Sequence, residues 1–277
     1  MAEFTIGVRI RRRVDAATWR LAAFATLALA VILLLVPTFI ALAASFNGGE
    51  SLRFPPRDLS WRWYEALWSA SDDIWDAFAI SLRVSALATL GAGLMATLAA
   101  LYLSRQRNAW ARALETFFQS PMMLPGISLG LAMLVWLQTI GVPLSYWSLV
   151  IGHMAISTPY IIRTALIGFA QIDPSLLEAS RSLGADNTRT FVRITLPLAL
   201  PAVLAGSFIA FMFSFDNVPI SLFLSDARSE VLPIRLWNLI ENLLDVRAAA
   251  VAGVLIIFTI VFALVMERVL GVSRYVR

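Results

Sequence analysis

Cysteine is absent from the 277 residues, which excludes disulfides, thiolate nucleophiles and thiolate metal sites, and says nothing more about compartment. Lysine is absent as well: all 22 basic residues are arginine. A P-loop grips nucleotide phosphates with a Gly-Lys-Ser/Thr ending, so no standard P-loop is present, and any ATP that drives this chain binds to another subunit. One histidine, His153, is too few for a His-based metal cluster or catalytic triad within the chain. No catalytic residue and no metal ligand is therefore assigned. Charge is scarce altogether, at 14% of residues against about 25% in an ordinary soluble domain, while hydrophobic residues reach 59%. No soluble domain, low-complexity tract or internal repeat stands out.

What is present is a series of apolar runs of roughly 20 residues, each long enough to cross a hydrocarbon core. They predict an all-α integral membrane protein with six transmembrane helices at about 21–44, 77–103, 117–137, 144–169, 197–215 and 248–269. A basic segment, 1–20, precedes the first run, with Arg9, Arg11, Arg12, Arg13 and Arg20. That run is too long for a signal-peptide core of 7–15 residues, so it reads as a retained span. Pro121 and Pro125-Gly126 interrupt the third run. Gly91 and Gly93, with Ala88, Ala92, Ala96 and Ala99, give the second a small-residue face suited to close helix contact.

Charge then sets the topology. With the N-terminus inside, the inner segments hold fourteen arginines and seven acids, the outer ones six arginines and eleven acids. This agrees with the positive-inside rule and puts both termini, including the 271–277 tail, in the cytoplasm. The arginines follow topology instead of gathering on one domain, so no nucleic-acid partner is expected. Between spans one and two, Phe54-Pro55-Pro56 reads as a turn or extended segment, and Leu59-Ser60-Trp61-Arg62-Trp63-Tyr64 opens a short aromatic helix at the headgroup level.

The one long polar segment between two apolar runs on the inner side is 171–196. Asp173-Pro174 is a helix start, with Asp as N-cap and Pro at the first position, and Gly184 is a helix stop. Its central sequence is Glu178-Ala179-Ser180, then Gly184, then Ile194, Leu196 and Pro197. This pattern resembles the EAA loop of ATP-binding-cassette importer permeases of the binding-protein-dependent, type I (MetI-like) family, with Ser180 in place of the second Ala. The segment after span one and the Ser214-Phe215-Asp216 and Leu232-Pro233-Ile234-Arg235-Leu236-Trp237 stretches are similar to the polyamine (spermidine/putrescine) branch. The resemblance runs from span one to span six.

It implies the type I importer permease fold in a bacterial inner membrane. It also implies a second permease subunit, a related but different chain, and two ATPase subunits that bind the ATP and magnesium. An extracytoplasmic binding protein would deliver the solute. The helix 174–183 would dock on the ATPase: Glu178 pairing with basic groups there, Ala179 and Ser180 permitting close approach, Gly184 setting the bend. The solute would be a polyamine or related organic cation, or else an opine, aminophosphonate or other small molecule. An ion-coupled secondary transporter or a membrane scaffold accounts for six spans without accounting for the motif spacing.

Along the expected pathway, Asp216 with Phe215 and Asn217 closes span five; it either contacts or gates a cation, or caps the helix and pairs with a loop arginine. Arg163 either snorkels to the inner surface or lines the pathway, beside Tyr160. His153 is expected to satisfy a hydrogen bond inside the bundle, with Ser157, Thr158 and Tyr160 as the nearby partners.

Overall fold

The computed structural model describes residues 2–50, 54–106, 108–226, 228–243 and 246–270, with the side chains of 2–17, 242–243 and 269–270 excepted. Arg107, Asp245 and the basic tail 271–277 with Arg274 and Arg277 lie outside the described residues, as do the side chains of Arg9 and Arg11 to Arg13. The order is α1 (Ala2–Ser45), α2 (Arg62–Ser69), α3 (Asp72–Leu103), α4 (Ala109–Gln119), α5 (Gly126–Thr139), α6 (Tyr146–Ala170), α7 (Pro174–Ser182), α8 (Asn187–Thr190), α9 (Leu196–Phe215), α10 (Val218–Leu224), α11 (Leu232–Leu243) and α12 (Arg247–Leu270). The described residues contain no named strand, only a bridge between Asn47 and Leu59.

Five helical stretches are long and apolar enough to cross a membrane: Thr18–Ser45, Asp72–Leu103, Tyr146–Ala170, Asn187–Phe215 and Arg247–Arg268. The third expected span differs. It starts earlier, at Ala109, and is a pair of helices bent by 105° at the break near Met122 to Gly126. Pro121 and Pro125 cause the break, since each removes an N–H and crowds the carbonyl four residues back. The second span begins at Asp72 instead of 77, because Asp72 and Asp73 favour the positive end of a helix. The fourth begins after Ser145, whose hydroxyl accepts from the Ser148 N–H while Ser148 returns the bond.

The chain divides into two units. The first comprises residues 1–68 and 244–258. There α1 is almost wholly exposed along its apolar length, with Phe24, Leu33 and Leu34 all outside, which suits lipid. The polar segment after it folds into a compact knot. Gly48 N–H donates to Asp58 O and Ser60 N–H to Phe46 O, both at 2.8 Å. The rings of Phe46, Trp61 and Tyr64 pack at centroid distances of 4.9 to 5.5 Å. Ser45 and Tyr64 hydroxyls bond at 2.7 Å over Gly253, where an added Cβ would lie 2.3 Å from the Tyr64 oxygen.

The second unit, 69–243 and 259–277, is built around α6. On α3, Ala88, Ala92, Ala96 and Ala100 are fully buried and four residues apart, so a narrow stripe of methyl groups faces its neighbours. Of these, Ala92, Ala96 and Ala100 pack with Ile161, Ile162, Ala165 and Phe169 of α6 and Ala199, Val203 and Ala210 of α9. Helices α6 and α9 touch nearly backbone to backbone. A Cβ on Gly206 would lie 2.0 Å from Thr164 Oγ1 and 3.0 Å from both Ile161 Cα and Tyr160 O. Without water to compete, such close van der Waals contact is a main source of helix association in a bilayer.

These glycines separate two outcomes. Gly206→Leu overpacks against main-chain atoms and is expected to destabilise by roughly 1–3 kcal/mol or more, read as a lower unfolding midpoint in detergent. Gly93→Ala adds only a 3.7 Å contact to Ser207 Oγ and is expected to be neutral. Equal midpoints for the two variants would contradict this packing.

Candidate functional site

The segment expected to face an ATPase folds as a short helix closed at both ends. Asp173 caps α7 by accepting from the Ser175 N–H at 2.9 Å, with Pro174 at the first position. The Ser175 amide and then its hydroxyl hold the Asp173 carboxyl below the usual carboxylate range. At the other end Gly184 takes φ +81°. The Ala185 N–H reaches back to Ser180 O at 3.1 Å and the Gly184 N–H to Arg181 O at 2.9 Å, the double closure that an αL residue permits. Nothing lies within 4 Å of an added Cβ at Gly184, so its constraint is the backbone angle alone.

The chain then re-enters a helix at once. Asp186 accepts from the Arg189 N–H at 2.7 Å to start α8, and Ser180 and Thr190 hydroxyls join α7 to α8 at 2.9 Å, both buried. Ser180, where the related pattern has Ala, is thus a structural tie as well as a small residue. From Phe191 to Thr195 the helix widens to a π turn, with the Leu196 N–H reaching Phe191 O. The cause is Pro197, which has no N–H for the Arg193 carbonyl and crowds it. Ile194 and Leu196 are half-buried here, and Pro197 is exposed. Helix then runs without interruption through α9 to Phe215.

On the outside of this hairpin, Glu178 and Ala179 are exposed, and the Glu178 carboxylate has no ion pair among the described residues. Leu183 is 89% exposed and Leu176 46%. The sequence pattern marked Glu178 and Gly184 but gave no weight to these leucines.

At the far end of α9 the expected pathway residues separate. Asp216 is exposed at the C-terminal cap position. Among the described residues it has no arginine ion pair, and Arg235 is bonded to Asp73 and lies 3.7 Å from Glu230. Phe215 is buried within a row of rings, 5.7 Å from Phe78 and 6.1 Å from Phe211, and Asn217 is buried as the N-cap of α10, accepting from the Ile220 N–H. Tyr160 lies against Phe213 at 4.8 Å, half-buried, with Phe213 exposed. Arg163, one turn further along α6, is exposed. The face left open is thus Asp216, Phe213, Tyr160 and Arg163.

His153 differs from its expected surroundings. It is 1% exposed, and its partners come from other helices: Nδ1 lies 2.8 Å from Ser214 Oγ on α9, and Nε2 lies 3.1 Å from Ser221 Oγ on α10. Ser157, the expected neighbour, is buried with no hydrogen-bond partner among the described residues, and Thr158 bonds to its own helix at Met154 O.

Three comparisons bear on this arrangement. The model of the family described as binding-protein-dependent transport system inner membrane component matches residues 90–271. The spermidine/putrescine transport system permease protein PotC of Haemophilus influenzae is 29% identical over 236 residues, 85% of this chain and 91% of that one. The putrescine transport system permease protein PotI of Escherichia coli is 30% identical over 186 residues, 65% of this chain and 66% of that one. Among solved structures, a bacterial alginate ABC transporter in complex with an alginate pentasaccharide-bound periplasmic protein superposes with a TM-score of 0.69 at 18% identity, over 90% of this chain and 93% of that one.

Replacing Gly184 by Val forces a β-branched residue into left-handed angles at a cost of about 1–2 kcal/mol. Amide exchange at 183–185 is expected to speed up by about tenfold or more in the purified protein, with exchange in α6 unchanged. Unaltered exchange at the turn would contradict its dependence on glycine.

Proposed function

The chain belongs to the family of binding-protein-dependent transport system inner membrane components, and on that premise we propose that α7 is the helix through which a separate ATPase drives it. The protein is the permease subunit of an ATP-binding-cassette importer of the type I fold. In the proposed assembly two ATPase subunits bind ATP and magnesium, a second and related permease completes the pathway, and an extracytoplasmic binding protein delivers the solute. Both termini and the 171–196 loop then face the cytoplasm of a bacterial inner membrane, in keeping with the arginine distribution. No covalent step belongs to this chain.

The carrying observation is the closed hairpin of α7 and α8 joined to an unbroken helix. Asn187–Phe215 is 29 residues, about 43 Å at 1.5 Å per residue. Leu176 and Leu183 seat on the ATPase, and Glu178 pairs with a basic group there. The hydroxyl tie between Ser180 and Thr190 makes α7 and α8 move together. A displacement imposed at α7 by closure of the nucleotide sites therefore reaches the end of α9, where Asp216 stands. ATP binding shifts the population toward the outward-open state by its differential contacts with the two states.

For the solute, we propose a polyamine. Of the relatives, PotC is a permease of a spermidine/putrescine transport system and PotI of a putrescine transport system. An exposed carboxylate at Asp216 with the Tyr160–Phe213 ring pair offers ion pairing and a cation–π surface. Arg163, exposed on the same face, favours a second solute class, the anionic opines or aminophosphonates, because a fixed cation repels a polyamine.

Two variants in the assembled importer test these roles. Glu178→Arg replaces an attraction with a repulsion at the docking face, a change of a few kcal/mol. ATP-driven uptake is expected to fall by about a hundredfold or more while the chain still reaches the membrane; normal uptake refutes the coupling role. Asp216→Asn is expected to raise the KM for spermidine by about tenfold with the maximal rate retained. Unchanged uptake at limiting spermidine would remove Asp216 from the pathway, and inhibition of wild-type binding-protein capture by an opine but not by spermidine would favour the anionic class.

A further inference from the structure

The break between α9 and α10 is held from one side by a single ring. Asp216 and Asn217 separate the two helices, and α10 is only seven residues long. So short a helix is not stable by propensity and must be fixed by its neighbours. Glycines let it in: a Cβ at Gly152 on α6 would lie 2.3 Å from Leu224 Cδ1, and one at Gly130 on α5 would lie 2.8 Å from Pro219 O. His153, next to Gly152, then reaches both helices at once, Ser214 in the last turn of α9 and Ser221 in α10.

The protons can be assigned. Ser221 Oγ donates its only hydrogen to Asn217 O at 2.6 Å, so toward His153 it can only accept. Nε2 therefore carries a hydrogen and donates it, 3.1 Å from Ser221 Oγ. In the neutral ring Nδ1 is then the acceptor, and Ser214 donates to it at 2.8 Å. Every polar atom of the ring is used, and each bond goes to a different side of the break.

We propose that His153 is a positioning residue, which clasps the end of α9 to α10 and so fixes the angle at which Asp216 is presented. Its transport consequence rests on the pathway role of Asp216 given above. The clasp itself does not, because it is defined by the geometry of the break.

Absence of native cysteine makes a direct test available. In the full importer in membrane vesicles, Asp216→Cys is introduced and its reaction with a charged maleimide is timed on this chain by mass. Leu59→Cys, 77% exposed and remote in sequence, serves as the control. His153→Phe keeps a ring and fills the volume, but takes the acceptor from the buried Ser214 hydroxyl and the donor from Ser221 Oγ, which keeps only its bond to Asn217 O. The reaction at 216 is expected to speed up by about tenfold, the control staying within twofold. His153→Gln, which can both donate and accept, is expected to bring the rate back to within about twofold of the parent. Ser214→Ala and Ser221→Ala each remove half of the clasp and are expected to give about threefold each. They decide the matter even if His153→Phe does not accumulate. Rates at 216 unchanged in both serine variants overturn the proposal. So does a His153→Gln rate as fast as that of His153→Phe, since a ring needed only for packing would show no rescue by a polar chain. Spermidine uptake by Asp216→Asn reports separately on the pathway role, so failure of one does not entail failure of the other.

Discussion

Close backbone approach to α6 is the constraint on which the second unit depends. In a bilayer no hydrophobic force draws apolar helices together, because lipid is as apolar as leucine. What remains is dispersion between surfaces that fit, and the fit here comes from missing side chains. Gly206 on α9, Gly168 and Gly152 on α6, and the alanine stripe of α3 all remove atoms at the contact. Thr164 and Ala202 fill the spaces so made, at distances a single methyl would close. Helix α6 is thereby the element against which the others are set, and the rings and hydroxyls of the bundle are placed relative to it.

From that frame the two functional ends follow. At one end, α7 stands clear of the bundle, capped by Asp173, stopped by Gly184 and tied to α8 through Ser180 and Thr190. A helix of nine residues is marginal alone, and the caps and tie are what keep it rigid enough to transmit a push. At the other end the same run of helix finishes at Asp216. The π turn at Phe191 to Thr195 lies between them, immediately before Pro197. With Pro201 inside α9, it interrupts the regular helical ladder of this lever, and so lowers the cost of bending there.

Much of this was legible in the sequence because the signals were local. Runs of apolar residues marked the spans, Asp173-Pro174 and Gly184 marked the ends of α7, and Pro121 with Pro125 marked the break in the third span. What stayed hidden depended on distant partners. Nothing near His153 named Ser214 and Ser221, which are 61 and 68 residues away. Helix α10 has only VPISLFL between an acid-bearing break and a polar loop, too short for a periodicity to register. Phe215 and Asn217 read as pathway residues from their place beside Asp216, yet one is stacked among rings and the other caps a helix. Adjacent residues on a helix end point in different directions, and the sequence alone does not say which direction is open.

The most direct test of a permease driven from outside its own chain is isolation of the chain from detergent-solubilised native membranes, with mass spectrometry of what accompanies it. An ATPase subunit and a second permease are expected to come with it, the ATPase being lost and the permease kept when Gly184 is replaced by Val. Recovery of the folded chain alone, with no ATPase under any mild condition, would contradict the coupling role of α7 and bring an ion-coupled transporter to the front.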